Sequence, residues 1–225
     1  GIGWLRGDMG WLDEAARAVF ARAAGFSVRD HLGVERAAEL GLPRLARITH
    51  FPEADIPADP ALADALLPRD GRKLLGLSMI PLPAMGEALA QEAERVRALL
   101  AEFRGHALVP IVSTVHVTRP EEDDLAGFED FRRRFLPDAP IAAPALLDRA
   151  HWHAEMTPPR LKGLIARCDA LVSQRKHNCI HAIGAGVRVI GLSPLEDHSL
   201  RRTFIALAHR LPPGSRCVGL AREPA

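Results

Sequence analysis

The spacing of apolar residues divides the chain into a short irregular part and a longer part with a regular rhythm, and the change falls near residue 70. Before it, residues 12–24 (LDEAARAVFARAA) predict an amphipathic helix with acids in its first turn. Phe26-Ser27-Val28 predicts a short strand ending at Arg29-Asp30, and residues 33–40 predict a second helix closed by Gly41. Ile48 opens a brief extended segment that leads into the turn cluster Pro57-Ala58-Asp59-Pro60. A small helix is expected over residues 61–67, and Pro68-Arg69-Asp70-Gly71 is the clearest linker.

Beyond that linker, apolar runs alternate with amphipathic stretches. Strands are expected at 73–79 (KLLGLSM), 107–115 (ALVPIVSTV), near Ile141, at 170–173 and at 187–192. Helices are expected at 84–103, 122–135, 158–168, 179–186 and 199–211, followed by a short apolar segment at 217–220. Strands separated by helices of this length argue for an α/β fold with a doubly wound, Rossmann-like parallel sheet over residues 70–225. Residues 1–69 then read as the remainder of a second, amino-terminal α/β domain. The opening Gly1-Ile2-Gly3-Trp4 resembles a strand end and loop, so further sequence is expected upstream.

Composition changes this picture little. With 29 Lys and Arg against 28 Asp and Glu, net charge carries no signal for nucleic acid or a membrane surface. Three scattered cysteines fit a reducing cytoplasm, and no zinc-ligand spacing is present. No apolar run reaches the length of a transmembrane helix. Abundant Ala and Arg with no Tyr suggest a GC-rich bacterial source.

The candidate chemistry lies in strand-to-helix loops that should emerge on one edge of the sheet, around Ser78, around Ser113 to Arg119, and from Ser173 to Asn178. The last loop, Gln174-Arg175-Lys176-His177-Asn178, is polar and cationic and precedes a helix start, a setting that favours an anion. Arg175 offers a planar fork, Lys176 a point charge and His177 a group that titrates near neutral pH. A solvated basic helix start is the plain alternative. His116 could face the same crevice or be structural. His181, one turn beyond His177, has the spacing of a metal pair, but no third ligand is near and packing is the simpler reading. Residues 121–124 (EEDD) suit a helix N-terminus better than a metal. His151-Trp152-His153, expected in a loop, could form an aromatic platform or cap the core. Arg29-Asp30 reads as an ion pair or as a second anion contact.

Several of these residues fall in a pattern that resembles the polysaccharide pyruvyl transferases: Asp169, apolar residues, Ser173, Arg175, His177, then a small-residue helix, Gly186 and a β-strand. Ser27-Val28-Arg29-Asp30 with Glu39-Leu40-Gly41, Asp59-Pro60-Ala61 and Glu122-Asp123-Asp124 resemble further family segments in the family's order. The resemblance implies a two-domain fold like that of GT-B glycosyltransferases. It implies transfer of a pyruvyl group from phosphoenolpyruvate to a saccharide of a cell-surface polysaccharide or its precursor, forming a ketal, with no separate cofactor. Arg175 and His177 would contact the donor's phosphate and carboxylate, with His177 as acid/base. Arg29 would contribute from the amino-terminal domain, while the edge loops themselves, apart from the resemblance, offer Lys176, Asn178, Ser78 and His116 as substrate-binding residues. Partners would be the small-molecule donor and the saccharide acceptor, in the cytoplasm, with peripheral association to a membrane-linked glycan left open. Departures are Asn178 where Ala is common, Arg188 where Pro is common, and Pro194-Leu195-Glu196-Asp197, which lacks the family's Lys. That loss keeps two alternatives open: a nucleotide-sugar glycosyltransferase of GT-B type, and a non-catalytic sugar- or anion-binding module.

Overall fold

The computed structural model describes residues 10–29, 31–42, 45–48, 51–81, 92–115, 118–119, 122–193 and 199–220. The chain divides into two compact units, Gly1–Pro52 and Glu53–Ala225. In the first, α1 (Gly10–Arg22) precedes β1 (Phe26–Val28), α2 (His31–Glu39) and β2 (Leu45–Ile48), with the two strands paired in parallel. Phe26, Val28 and Ala37 form its buried core. The predicted stop at Gly41 takes the left-handed conformation (φ +62°). Leu42 N–H donates to Ala37 at 2.9 Å and Gly41 N–H to Ala38 at 3.0 Å, the paired closure that satisfies the last carbonyls of a helix.

The second unit is built on five parallel strands: β3 (Leu74–Ser78), β4 (Ala107–Pro110), β5 (Ala170–Ser173), β6 (Arg188–Ser193) and β7 (Arg216–Gly219), in the spatial order β4-β3-β5-β6-β7. This is a doubly wound α/β sheet whose connection order reverses between β3 and β5, so a crevice opens past their carboxyl ends. Every residue of β3, β4 and β5 is buried, as expected when helices cover both faces. The helices described are α3 (Ala61–Leu66), α4 (Ala93–Leu100), α5 (Asp124–Phe135), α6 (Arg149–Glu155), α7 (Pro158–Ala166), α8 (Lys176–Gly184) and α9 (Ser199–Ala206). Phe128, Phe131 and Leu100 join Leu75, Leu77, Val172 and Ile190 in one core cluster.

The expected fold class is observed, with local differences that have physical causes. The break between units falls at Pro52, not at the 68–71 turn. Residues 53–60 lie on α7 and α8: Lys162 Nζ donates to the carbonyls of Ala54 (2.6 Å) and Ile56 (2.7 Å), and Asp59 N–H to Pro159 (2.9 Å). Gly163 and Gly184 permit that approach, since a Cβ at either would strike the carbonyl of Asp59 or Ala54. The strand expected over 107–115 stops at Pro110, because the chain beyond it is drawn to Asp124. Ile141 contributes a single bridge to Leu108. His151-Trp152-His153 are helical in α6, capped by Asp148, whose carboxylate accepts from Ala150 N–H. The expected helix at 84–103 is described from Ala93 on, and residues 82–91 lie outside the described residues. The last apolar segment is the fifth strand.

Candidate active site at the carboxyl edge of the sheet

The loop after β5 is shorter than expected. Gln174 and Arg175 alone separate the strand from α8, and Lys176, His177 and Asn178 form the helix's first turn. Ser173 sets this turn, its Oγ accepting from Arg175 N–H at 3.0 Å. Gln174 ties the loop to β3, with its N–H donating to Ser78 carbonyl (2.9 Å) and its Oε1 accepting from Ile80 N–H (2.9 Å). At the far end of α8, Gly186 (φ +73°) and Val187 repeat the closure seen at Gly41, with Val187 N–H donating to Ala182 at 2.9 Å.

Asn178 joins all three edge loops. Its Nδ2 donates to Ser78 Oγ at 2.7 Å and to Ser113 Oγ at 3.3 Å. Ser113 Oγ in turn donates to Asp124 Oδ2 at 3.1 Å, so the hydroxyl can only accept from Asn178, which settles the amide's orientation. The fully buried Asn178 and Ser78 therefore form a stitch between strands.

Asp124 is the second organising residue. Its Oδ2 also accepts from Ser113 N–H (2.9 Å) and Thr114 N–H (3.1 Å), while Oδ1 accepts from Arg175 Nε (2.7 Å). Arg175 Nη2 reaches both Asp124 Oδ1 (2.6 Å) and the Glu122 carbonyl (2.7 Å). Burial pushes the Asp124 carboxyl above its ordinary value, against the opposing pull of the Arg175 guanidinium and the Ser113 donors. Asp123 fulfils the plain reading of the acidic run: its Oδ1 caps α5 by accepting from Leu125 and Ala126 N–H, and it pairs with Arg149.

A cavity of about 470 Å³ lies beside this network, and its walls include Ser113, Val115, Trp152, His177, Asn178 and His181. Trp152 is buried and anchored by its Nε1, which donates to the Leu146 carbonyl at 2.6 Å. His181 is buried too. Desolvation, then the Lys162 and His177 charges, lower its pKa, opposed by Glu53 through its charge and a hydrogen bond to its backbone carbonyl.

The structure thus distributes the residues singled out above among several places. His177, exposed, and Asn178 line the cavity together. Arg175 keeps 23% of its side chain exposed but is engaged by Asp124 and Glu122 and is not in the cavity wall. Lys176 is half-buried at the start of α8. Arg29 is half-buried in the first unit, its guanidinium 5.0 Å from the Phe51 ring centroid. His116 lies outside the described residues, as does the 194–197 segment. Asp169 sits at the opposite end of β5, where its Oδ2 accepts from Leu74 N–H at 2.7 Å. Glu53 and Leu161 were not legible as site residues, because they reach the cavity only through tertiary packing. Among the described residues no cluster of three or more His, Cys, Asp or Glu is placed to hold a metal, and no helix is long and apolar enough to cross a membrane.

A doubly wound parallel sheet with a polar, charge-linked carboxyl edge and an adjoining cavity defines an α/β protein equipped to bind a small ligand. The chain belongs to the polysaccharide pyruvyl transferase family, whose model matches residues 1–196. Its fold is also similar to the crystal structure of the glycosyltransferase SnogD from Streptomyces nogalater, with a TM-score of 0.40 and 16% identity. That similarity covers 84% of this chain and 49% of the other, so the chain spans about half the length of that glycosyltransferase. No curated protein sequence matches the chain.

Proposed function

We propose that the protein transfers the pyruvyl group of phosphoenolpyruvate to a saccharide, in the cytoplasm of a bacterium, to furnish a ketal on a cell-surface polysaccharide or its precursor. The observation that carries this reading is the position of His177. It stands in the first turn of α8, at the switch-point edge of the sheet, in the wall of a cavity large enough for a small molecule.

The reaction needs a proton on the donor's methylene carbon, which becomes a methyl group, and positive charge develops at the neighbouring carbon. One acceptor hydroxyl adds there. A second displaces phosphate as the carbon–oxygen bond to phosphate breaks. Of the two hydroxyl protons released, one balances the proton given to the methylene and one leaves with phosphate. His177 is the acid that delivers the first proton and recovers one from a hydroxyl. Arg175, oriented by Asp124, and Lys176 supply positive potential at a helix N-terminus that itself favours the donor's anionic groups.

Phosphate release from phosphoenolpyruvate should depend on an added saccharide. Replacing His177 with Ala should lower it by roughly 10²–10⁴-fold, the usual worth of a general acid. Release unchanged in that variant would remove His177 from the chemistry.

A further inference from the structure

The cavity beside His177 has a chemistry that does not match the anionic donor. Glu53 contributes a carboxylate to its wall, and among the described residues neither Arg nor Lys lines it. Three polar atoms of its lining residues, Glu53 Oε2, Asn178 Oδ1 and His181 Nδ1, are buried with no hydrogen-bond partner among the described residues. The first two are acceptors. The Asn178 amide nitrogen is already committed to Ser78 and Ser113, which leaves its oxygen turned from those hydroxyls. His181 Nδ1 is likewise buried and turned into the cavity wall, where an imidazole nitrogen donates or accepts according to its tautomer. Unsatisfied buried acceptors are costly and call for O–H or N–H donors.

We infer that this cavity is the acceptor subsite and takes one neutral, hydroxyl-bearing sugar ring, while the donor's charged groups stay outside it on the basic side of His177. The inference rests on the pyruvyl-transfer reading. The sugar's hydroxyls donate to Glu53 and Asn178 and hydrogen-bond with His181, and its C–H surface lies against the apolar wall of Val112, Trp152 and Leu161. The Trp152 hydrogen bond to Leu146 holds that wall in place. A volume of about 470 Å³ is near the small end of ligand sites, roughly 300–1,000 Å³, and suits one ring better than a long glycan. His177, shared between cavity and helix start, then stands where acceptor hydroxyl and donor carbon must meet.

The experiment uses the full chain with Trp4→Phe and Trp11→Phe, which leaves Trp152 as the only tryptophan. Its emission is followed during titration with methyl glycosides of galactose, glucose, mannose and N-acetylmannosamine, and separately with phosphoenolpyruvate and inorganic phosphate. At least one glycoside should shift the emission saturably. Glu53→Gln should weaken that glycoside about tenfold while leaving phosphoenolpyruvate affinity within about twofold. Val115→Phe, a change in a half-buried loop residue of the cavity wall, should weaken the glycoside and spare phosphoenolpyruvate. No saturable shift with any glycoside overturns the inference. So does tighter phosphoenolpyruvate binding in Glu53→Gln, the mark of an anion held beside that carboxylate. Glycoside binding without turnover of phosphoenolpyruvate would instead overturn the pyruvyl-transfer reading and leave the sugar site standing. Turnover with an unchanged acceptor KM in Glu53→Gln would do the reverse.

Discussion

The side-chain amide of Asn178 lies 2.7 Å from the hydroxyl of Ser78, one hundred residues earlier in the chain, and both are fully buried. The same amide meets Ser113, so a single side chain sets the spacing of three loops. Asn178→Ala leaves two hydroxyls short of a donor and should destabilise the fold by about 1–3 kcal/mol. Urea unfolding with an unchanged slope and a lower midpoint is the expected result. Asn178→Asp, which keeps shape but loses the donors, should be no better tolerated.

The Asp124–Arg175 pair should be strongly coupled. Removing Arg175 strands a buried carboxylate, and removing Asp124 frees both a cation and the N–H groups of Ser113 and Thr114. Breaking a buried pair from one side typically costs about 3–5 kcal/mol, and partial exposure of Arg175 puts this pair toward the lower end. A double-mutant cycle over Asp124→Ala and Arg175→Ala should therefore show clear non-additivity. Additive losses would mean that the two act separately.

Stability should fall on mild acidification. The folded-state pKa of His181 is lowered, chiefly by desolvation, with Lys162 and His177 adding to the effect and Glu53 opposing it. In the unfolded chain it titrates near the usual 6.5. The unfolded state therefore binds more protons between those two values. The stability present above pH 6.5 is lost as pH drops toward the folded value. Thermal melts from pH 7.5 downward should show this decline, and His181→Gln should flatten it.

Gly184→Ala should be destabilising although Gly sits in a helix where Ala is intrinsically preferred. The added methyl would strike the Ala54 carbonyl and push residues 53–56 off α8. Helix propensity favours Ala by about 1 kcal/mol; the clash should outweigh it and lower the melting temperature. Because residues 53–56 include Glu53, the same change should also weaken ligand binding in the cavity.

Much of the architecture was legible in local pattern. The apolar runs at 74–78 and 170–173, the turn-forming Gly41 and Gly186, and the acids that open α5 each specify their element through short-range physics. The rank of Asp169, Ser173, Arg175 and His177 along one strand and its loop was enough to resemble the right family. Local pattern failed where a distant partner decides the outcome. Ala107 to Val115 reads as one strand, but Asp124 draws Ser113 and Thr114 away from the sheet. Residues 53–69 read as the tail of the first domain, yet Lys162 and two glycines bind their first part to the second unit.

The sheet, its parallel connections and the basic helix start after β5 were readable from the order of residues, because apolar periodicity, caps and turns act over a few residues. What that helix start touches came from the folded chain. It turned Arg175 toward an aspartate 51 residues earlier and made Asn178 a stitch. It also set Glu53 and Trp152 around His177. Hydrogen bonds and ion pairs depend on distances of about 3 Å between groups far apart in the chain, and no periodicity records them.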